Sequence, residues 1–75
     1  MTGKIEAEEF KVYESSDITG KPLARLSLKH GVLVAAILRD NAVIIPRGND
    51  TIEVGDAVVV VYENGPISDI TDVLR

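Results

Sequence analysis

At 75 residues the chain has room for one domain, and a domain this small buries only about 60% of the surface of its unfolded chain, so its stability margin is thin. It has no cysteine and a single histidine, which excludes disulfides and thiolate metal sites and leaves association between copies as the first way to add stability. The formal charge of −4, from 12 acidic and 8 basic residues, argues against direct nucleic-acid binding, and no apolar run approaches the ~20 residues that a membrane-spanning helix needs.

Residues 1–7 read as an N-terminal segment, a linker or an added start, and residues 8–75 as the domain. The first ten residues are polar and acidic, unlike a secretory signal. Together with the missing cysteine, this leads us to expect a reducing, cytoplasmic compartment, with any connection to a membrane made through partners or through chain outside this sequence.

Lys4 to Glu14 carries apolar residues at Ile5 and Ala7 and then at Phe10 and Val12. The change of parity predicts a strand with a bulge, or one that starts late, near Glu9. Glu6, Glu8, Glu9 and Glu14 make this strand an acidic, solvated edge that discourages aggregation. Gly20-Lys21-Pro22 opens a short helix ending near Ser27, with Leu23 and Leu26 on one face.

Val32 to Arg39 reads as a strand apolar on both sides. Strict alternation puts Val32, Val34, Ala36 and Leu38 on one side, and Leu33, Ala35, Ile37 and Arg39 on the other. Asp40-Asn41 tolerates the positive φ of a tight hairpin, Ala42 to Ile45 returns as the partner strand, and Pro46 ends it. Glu53-Val54-Gly55-Asp56 is a second turn with glycine available for positive φ. Ala57 to Tyr62 is the most β-branched run and a strand. Asn64-Gly65-Pro66 breaks it, and Ile67, Ile70, Val73 and Leu74 form the apolar stripe of a terminal helix.

The expected order is therefore β-α-β-β-β-α, an α+β domain of one sheet with both helices packed on one face. The other face needs cover, and a second copy on a two-fold axis is the simplest candidate.

Arg39 ends an apolar strand, where a guanidinium can meet an anionic ligand; the alternative is a pair with Asp40 or another nearby carboxylate. Arg47 is either a second such cation or a loop residue free to form an ion pair across a dimer. Asn41 suits the turn backbone, and its amide can also read a base edge. Ile44, Ile45 and Pro46 offer apolar surface to flank a ring. Catalysis has no support: no serine has a histidine–acid partner at recognisable spacing, and there is no metal-ligand cluster and no Gly-x-Gly-x-x-Gly phosphate loop.

Gly31-Val32-Leu33-Val34-Ala35-Ala36-Ile37-Leu38-Arg39, then Val43-Ile44-Ile45-Pro46-Arg47-Gly48, then Ile52-Glu53-Val54-Gly55-Asp56-Ala57-Val58-Val59-Val60 form an ordered set. With the upstream Gly20-Lys21-Pro22-Leu23-Ala24-Arg25-Leu26, it resembles the TrkA C-terminal (RCK_C) domain family over roughly residues 8 to 75. The resemblance implies a βαβββα fold, a homodimer and a regulatory role in potassium uptake or channel systems. It further implies a Rossmann-type domain elsewhere in the parent chain and a potassium-transporting membrane subunit as partner. It points to no cofactor in the usual sense, but to cyclic di-AMP as the leading ligand at the two-fold; on their own side-chain chemistry, Arg39, Asn41, Ile44, Ile45, Pro46 and Arg47 are the residues expected to hold it. The alternatives are a purely structural dimerisation module, and a regulatory domain of a different ion transporter or of a transcription regulator.

Overall fold

The computed structural model describes residues 4–63, 65 and 67–75. One antiparallel sheet contains β1 (Ile5–Lys11), β2 (Val32–Arg39), β3 (Ala42–Ile44) and β4 (Ala57–Glu63), laid side by side in the order β1-β4-β2-β3. The most β-branched strand is thus an inner one, with a ladder on each side. Asn64 and Pro66, part of the expected break after it, lie outside the described residues.

The β1–β4 register runs unbroken from Ile5↔Glu63 to Lys11↔Ala57, so the bulge or late start expected near Glu9 is absent. The parity change has another cause. Ile5 and Ala7 lie opposite Glu63 and Val61 on one face of the sheet, and Phe10 lies opposite the buried Val58 on the other. Glu6 and Glu8 share Phe10's side, where the Tyr62 hydroxyl lies 3.1 Å from a carboxylate oxygen of each and can donate to either. Two of the acidic residues of this edge therefore give a buried phenol its partners.

The irregularity sits instead in β2, where the register against β4 shifts between Val34 and Ala36. Val32, Val34 and Ile37 consequently oppose Tyr62, Val60 and Val58, while Leu33, Ala36 and Leu38 oppose Val61, Val59 and Ala57. Strict alternation fails here because a bulge places two residues against one and reverses the parity beyond it. Val34 and Ile37 both enter the core, although alternation assigned them to opposite faces.

The core lies on one face only. There Val34, Ile37, Val58, Val60 and Tyr62 meet Val12, Ile18, Ile52, Ile67, Ile70 and Val73 from the connecting segments. These segments overturn the α+β expectation: no α-helix occurs among the described residues, only 3-10 turns at Leu23–Arg25 and Ile70–Val73. The fold is a mostly β domain covered by extended segments and single turns, without helices packed on the sheet.

Spacing explains the difference. Leu23 and Leu26, and Ile70 and Val73, are three apart, which a 3-10 turn satisfies as well as an α-helix does. Elongation offsets the cost of nucleating a helix, and neither segment can elongate. Leu26 and Leu74 are already extended, with ψ of 134° and 143°, and Leu28 pairs with Leu74 in an antiparallel bridge. Before the first turn, Pro22 bridges Thr51 and the Leu23 N–H donates to the Asp50 carbonyl. The second turn does have a helix-type start: Asp69 accepts from the Thr71 N–H and Asp72 from the Asp69 N–H.

The opposite face of the sheet has no cover among the described residues. Ile5, Leu33 and Val43 on it are 57%, 61% and 66% exposed.

Candidate functional site

The hairpin between β2 and β3 has the expected turn, with Asp40 and Asn41 at φ of 49° and 65°. Arg39 lies one residue before it, on the same side of the strand as Ile37. The last pair of the β2–β4 ladder is Leu38↔Ala57, so one step further Arg39 stands opposite Asp56.

The two side chains form a bidentate pair: Arg39 Nε donates to Asp56 Oδ1 at 2.9 Å and Nη2 to Oδ2 at 2.8 Å. Arg39 Nη2 also donates to the Thr51 carbonyl at 2.9 Å. Asp56 is buried, at 1% exposure, and its Oδ2 accepts a further bond from the Glu53 N–H at 2.8 Å. The Arg39 fork, helped by that N–H and by the charges of Arg39 and Lys11, holds the Asp56 carboxyl below the usual range against the opposing effect of burial. The same carboxylate holds Arg39 above its usual range.

Asp56 is thus more than the turn residue its sequence context suggests. Gly55 takes the positive φ, at 97°, and donates its N–H to the Val12 carbonyl, while the Asp56 carbonyl accepts from the Val12 N–H. One short turn therefore gathers the end of β2, the start of β4 and the chain leaving β1. The missed signal is a pair of opposite charges just beyond two apolar strands that run antiparallel.

The other expected ligand residues are spread along the β3 edge. Ile44 is half-buried opposite Ile37 on the core side, whereas Ile45 is 72% exposed. Pro46 is half-buried and follows the strand, as expected. Arg47 is exposed; its N–H donates to Asp50 Oδ2, and its side chain joins no ion pair among the described residues. Asn41 alone of the expected set lines a shallow hollow of about 390 Å³ beside the hairpin, together with Lys11, Leu38, Val43 and Ala57. Arg39, Ile44, Ile45, Pro46 and Arg47 do not line it.

Among the described residues no group of three or more His, Asp or Glu could hold a metal ion, and no helix is long and apolar enough to cross a membrane.

Comparison with known proteins gives a consistent picture. The family model described as the TrkA-C domain matches residues 7–75. "Trk system potassium uptake protein TrkA homolog 2" of Methanosarcina mazei is 34% identical over 71 residues, covering 95% of this chain and 16% of that protein. The corresponding TrkA homolog of Archaeoglobus fulgidus is 41% identical over 59 residues, covering 79% of this chain and 14% of the relative. The "K(+)/H(+) antiporter NhaP2" of a Shewanella species is 35% identical over 51 residues, or 68% of this chain and 9% of the antiporter. The chain thus spans a sixth or less of these relatives. In fold it is similar to a solved "Structure of RCK domain with cda", at a TM-score of 0.66 and 18% identity, with 92% of this chain and 97% of that one covered.

Proposed function

Because the chain belongs to the TrkA-C domain family, a family of regulatory domains, we propose that it is the dimerising, ligand-sensing domain of a potassium transport system. The observation that carries the dimer is the uncovered apolar face of the sheet, where Leu33, Val43 and Ile5 stay exposed in a domain with little core of its own. A second copy supplies the cover, and each copy offers the same face to the other.

The β2–β3 hairpin borders that face, and a two-fold axis near it doubles every ligand contact. Cyclic di-AMP, itself two-fold symmetric and doubly anionic, is the proposed ligand, on the family resemblance. Arg47 and Asn41 are its more available polar contacts, since Nε and Nη2 of Arg39 are already bonded within the chain. Ile45 and Pro46 supply apolar surface for the bases, with Ile44 beneath them.

Uptake proteins and K+/H+ antiporters both contain stretches similar to this one, so the proposal covers either kind of potassium system. A Rossmann-type domain in the parent chain and a potassium-transporting membrane subunit are its proposed partners, with the domain on the cytoplasmic side.

Calorimetric titration of the dimer with cyclic di-AMP tests the ligand. We expect one ligand per dimer, and a loss of affinity of at least about tenfold for Arg47→Ala, since each charge-assisted bond contributes roughly 1.5–3 kcal/mol. No heat from folded dimer at high micromolar ligand would leave a dimerisation module without this ligand.

A further inference from the structure

A second group of cations lies away from the hairpin, in the layer that covers the core. Lys21, Arg25 and Arg75 line one hollow of about 360 Å³, with Leu26, Ser27 and Leu74 also in its wall. We infer that this hollow binds a small phosphate-bearing molecule, at a site separate from the hairpin and independent of the dimer.

The charge distribution is the first argument. The chain has only 8 basic residues against 12 acidic ones, yet three of the basic ones gather here. None of the three joins an ion pair among the described residues, although carboxylates are the commoner charge. Asp17 is the only acidic side chain in the lining; with the α-carboxylate that the 75-residue chain carries at Arg75, three positive charges less two negative still leave +1 in a chain of net charge −4. Like charges gathered without partners oppose folding, and a bound anion removes that opposition.

The backbone beneath them is the second argument. The 3-10 turn carrying Arg25 is closed by the Arg25 N–H donating to the Pro22 carbonyl at 2.8 Å and the Leu26 N–H to Leu23 at 3.0 Å. Arg75 is tied to the next residues of the same segment: its N–H donates to the Ser27 carbonyl at 2.8 Å, beside the Leu28–Leu74 bridge. Hydrogen-bonded backbone therefore brings the two guanidinium groups to one hollow from positions 50 residues apart (75 − 25) in the sequence.

The lining chemistry selects the ligand. Two guanidinium forks and one ammonium match the several oxygens of a phosphate group, and the Ser27 hydroxyl can add a donor. Leu26 and Leu74 are half-buried and pack against the core, leaving apolar wall for the organic part of a phosphate ester.

Amide NMR of the 75-residue chain, titrated with inorganic pyrophosphate at near-physiological salt, tests the site. Saturable shifts are expected at Lys21, Arg25, Ser27 and Arg75, with at least about tenfold weaker binding in the double variant Arg25→Gln/Arg75→Gln. Arg47→Ala should leave these shifts unchanged, which separates this site from the hairpin site. Both arginines are exposed, so the double variant should remain folded, as its own spectrum will confirm; without ligand it should melt no lower than the wild type. Three results would overturn the inference: no saturable shift at millimolar pyrophosphate, equal binding by the double variant, or binding to phosphatidylglycerol vesicles with none of free pyrophosphate.

Discussion

Arg39 and Asp56 differ sharply in environment although they form one pair: the Arg39 side chain is 36% exposed, the Asp56 side chain 2%. Removing either partner therefore has a different consequence. In Asp56→Ala the Glu53 N–H loses its acceptor and the guanidinium turns to water, for an expected cost of about 2–3 kcal/mol. In Arg39→Ala the carboxylate loses its main partner and keeps only the Glu53 N–H and the weaker influence of the Lys11 charge. Burial then drives its pKa upward where the Arg39 fork had driven it down. The signs of the pH dependence follow. In the wild type the folded Asp56 pKa lies below its ordinary 3.8, so its contribution is complete above that value and is lost as pH falls through the folded one. Asp72, held down by the Asp69 and Ser68 N–H groups and the Ser68 hydroxyl, adds to the same acid sensitivity. In Arg39→Ala the buried carboxyl gains by taking up a proton. Thermal melts at pH 7 and near pH 4 should show the gap between wild type and Arg39→Ala narrowing in acid. A gap that widens would mean Asp56 does not need the guanidinium to stay ionised.

At the scale of the elements, the bulge in β2 makes a contrast that strict alternation cannot. Leu33 and Ile37 are four residues apart and share a parity, yet Ile37 is fully buried and Leu33 is 61% exposed. Ile37→Ala is expected to cost about 3 kcal/mol. Leu33→Ala should stay within roughly 0.5 kcal/mol, measured by denaturant at protein concentrations too low for association. Similar losses at both positions would remove the bulge. Hydrogen exchange should rank β4 slowest, since long ladders flank it on both sides whereas β2 has only the short β3 on its outer side, and the three-residue edge strand β3 fastest among the strands. Much of this was legible in the sequence: a run apolar on both sides marked β2, a β-branched run marked β4, and Asp40-Asn41 and Gly55 marked the turns. The bulge was not, because Ala35 and Ala36 are small enough for either face and leave no trace in the pattern. The helices failed for a related reason, since a three-residue spacing fits a single 3-10 turn as well as a helix, and the deciding contacts, with Thr51 and Leu74, are distant in sequence. Among the site residues, the place of Asn41 followed from turn chemistry. The pairing of Arg39 did not, because its partner depends on a strand register that the bulge shifts.

For the whole molecule, the same bulge decides which substitutions can probe association. Val34 and Ile37 belong to the monomer's own core, so charging them would unfold the domain and report nothing about a dimer. Leu33 and Val43 are exposed on the uncovered face and can take a charge without disturbing that core. Leu33→Asp or Val43→Asp should therefore give a folded monomer, with unchanged circular dichroism and a shift in sedimentation equilibrium of at least about tenfold in dissociation constant. Salt provides an independent check. Each chain carries a formal charge of −4, so two copies repel at long range while their apolar faces attract at contact. Raising the ionic strength should tighten the wild-type dimer, whereas an interface held by ion pairs would loosen. A wild-type chain that sediments as a monomer at high concentration in both low and high salt would refute the second copy as the cover of this face.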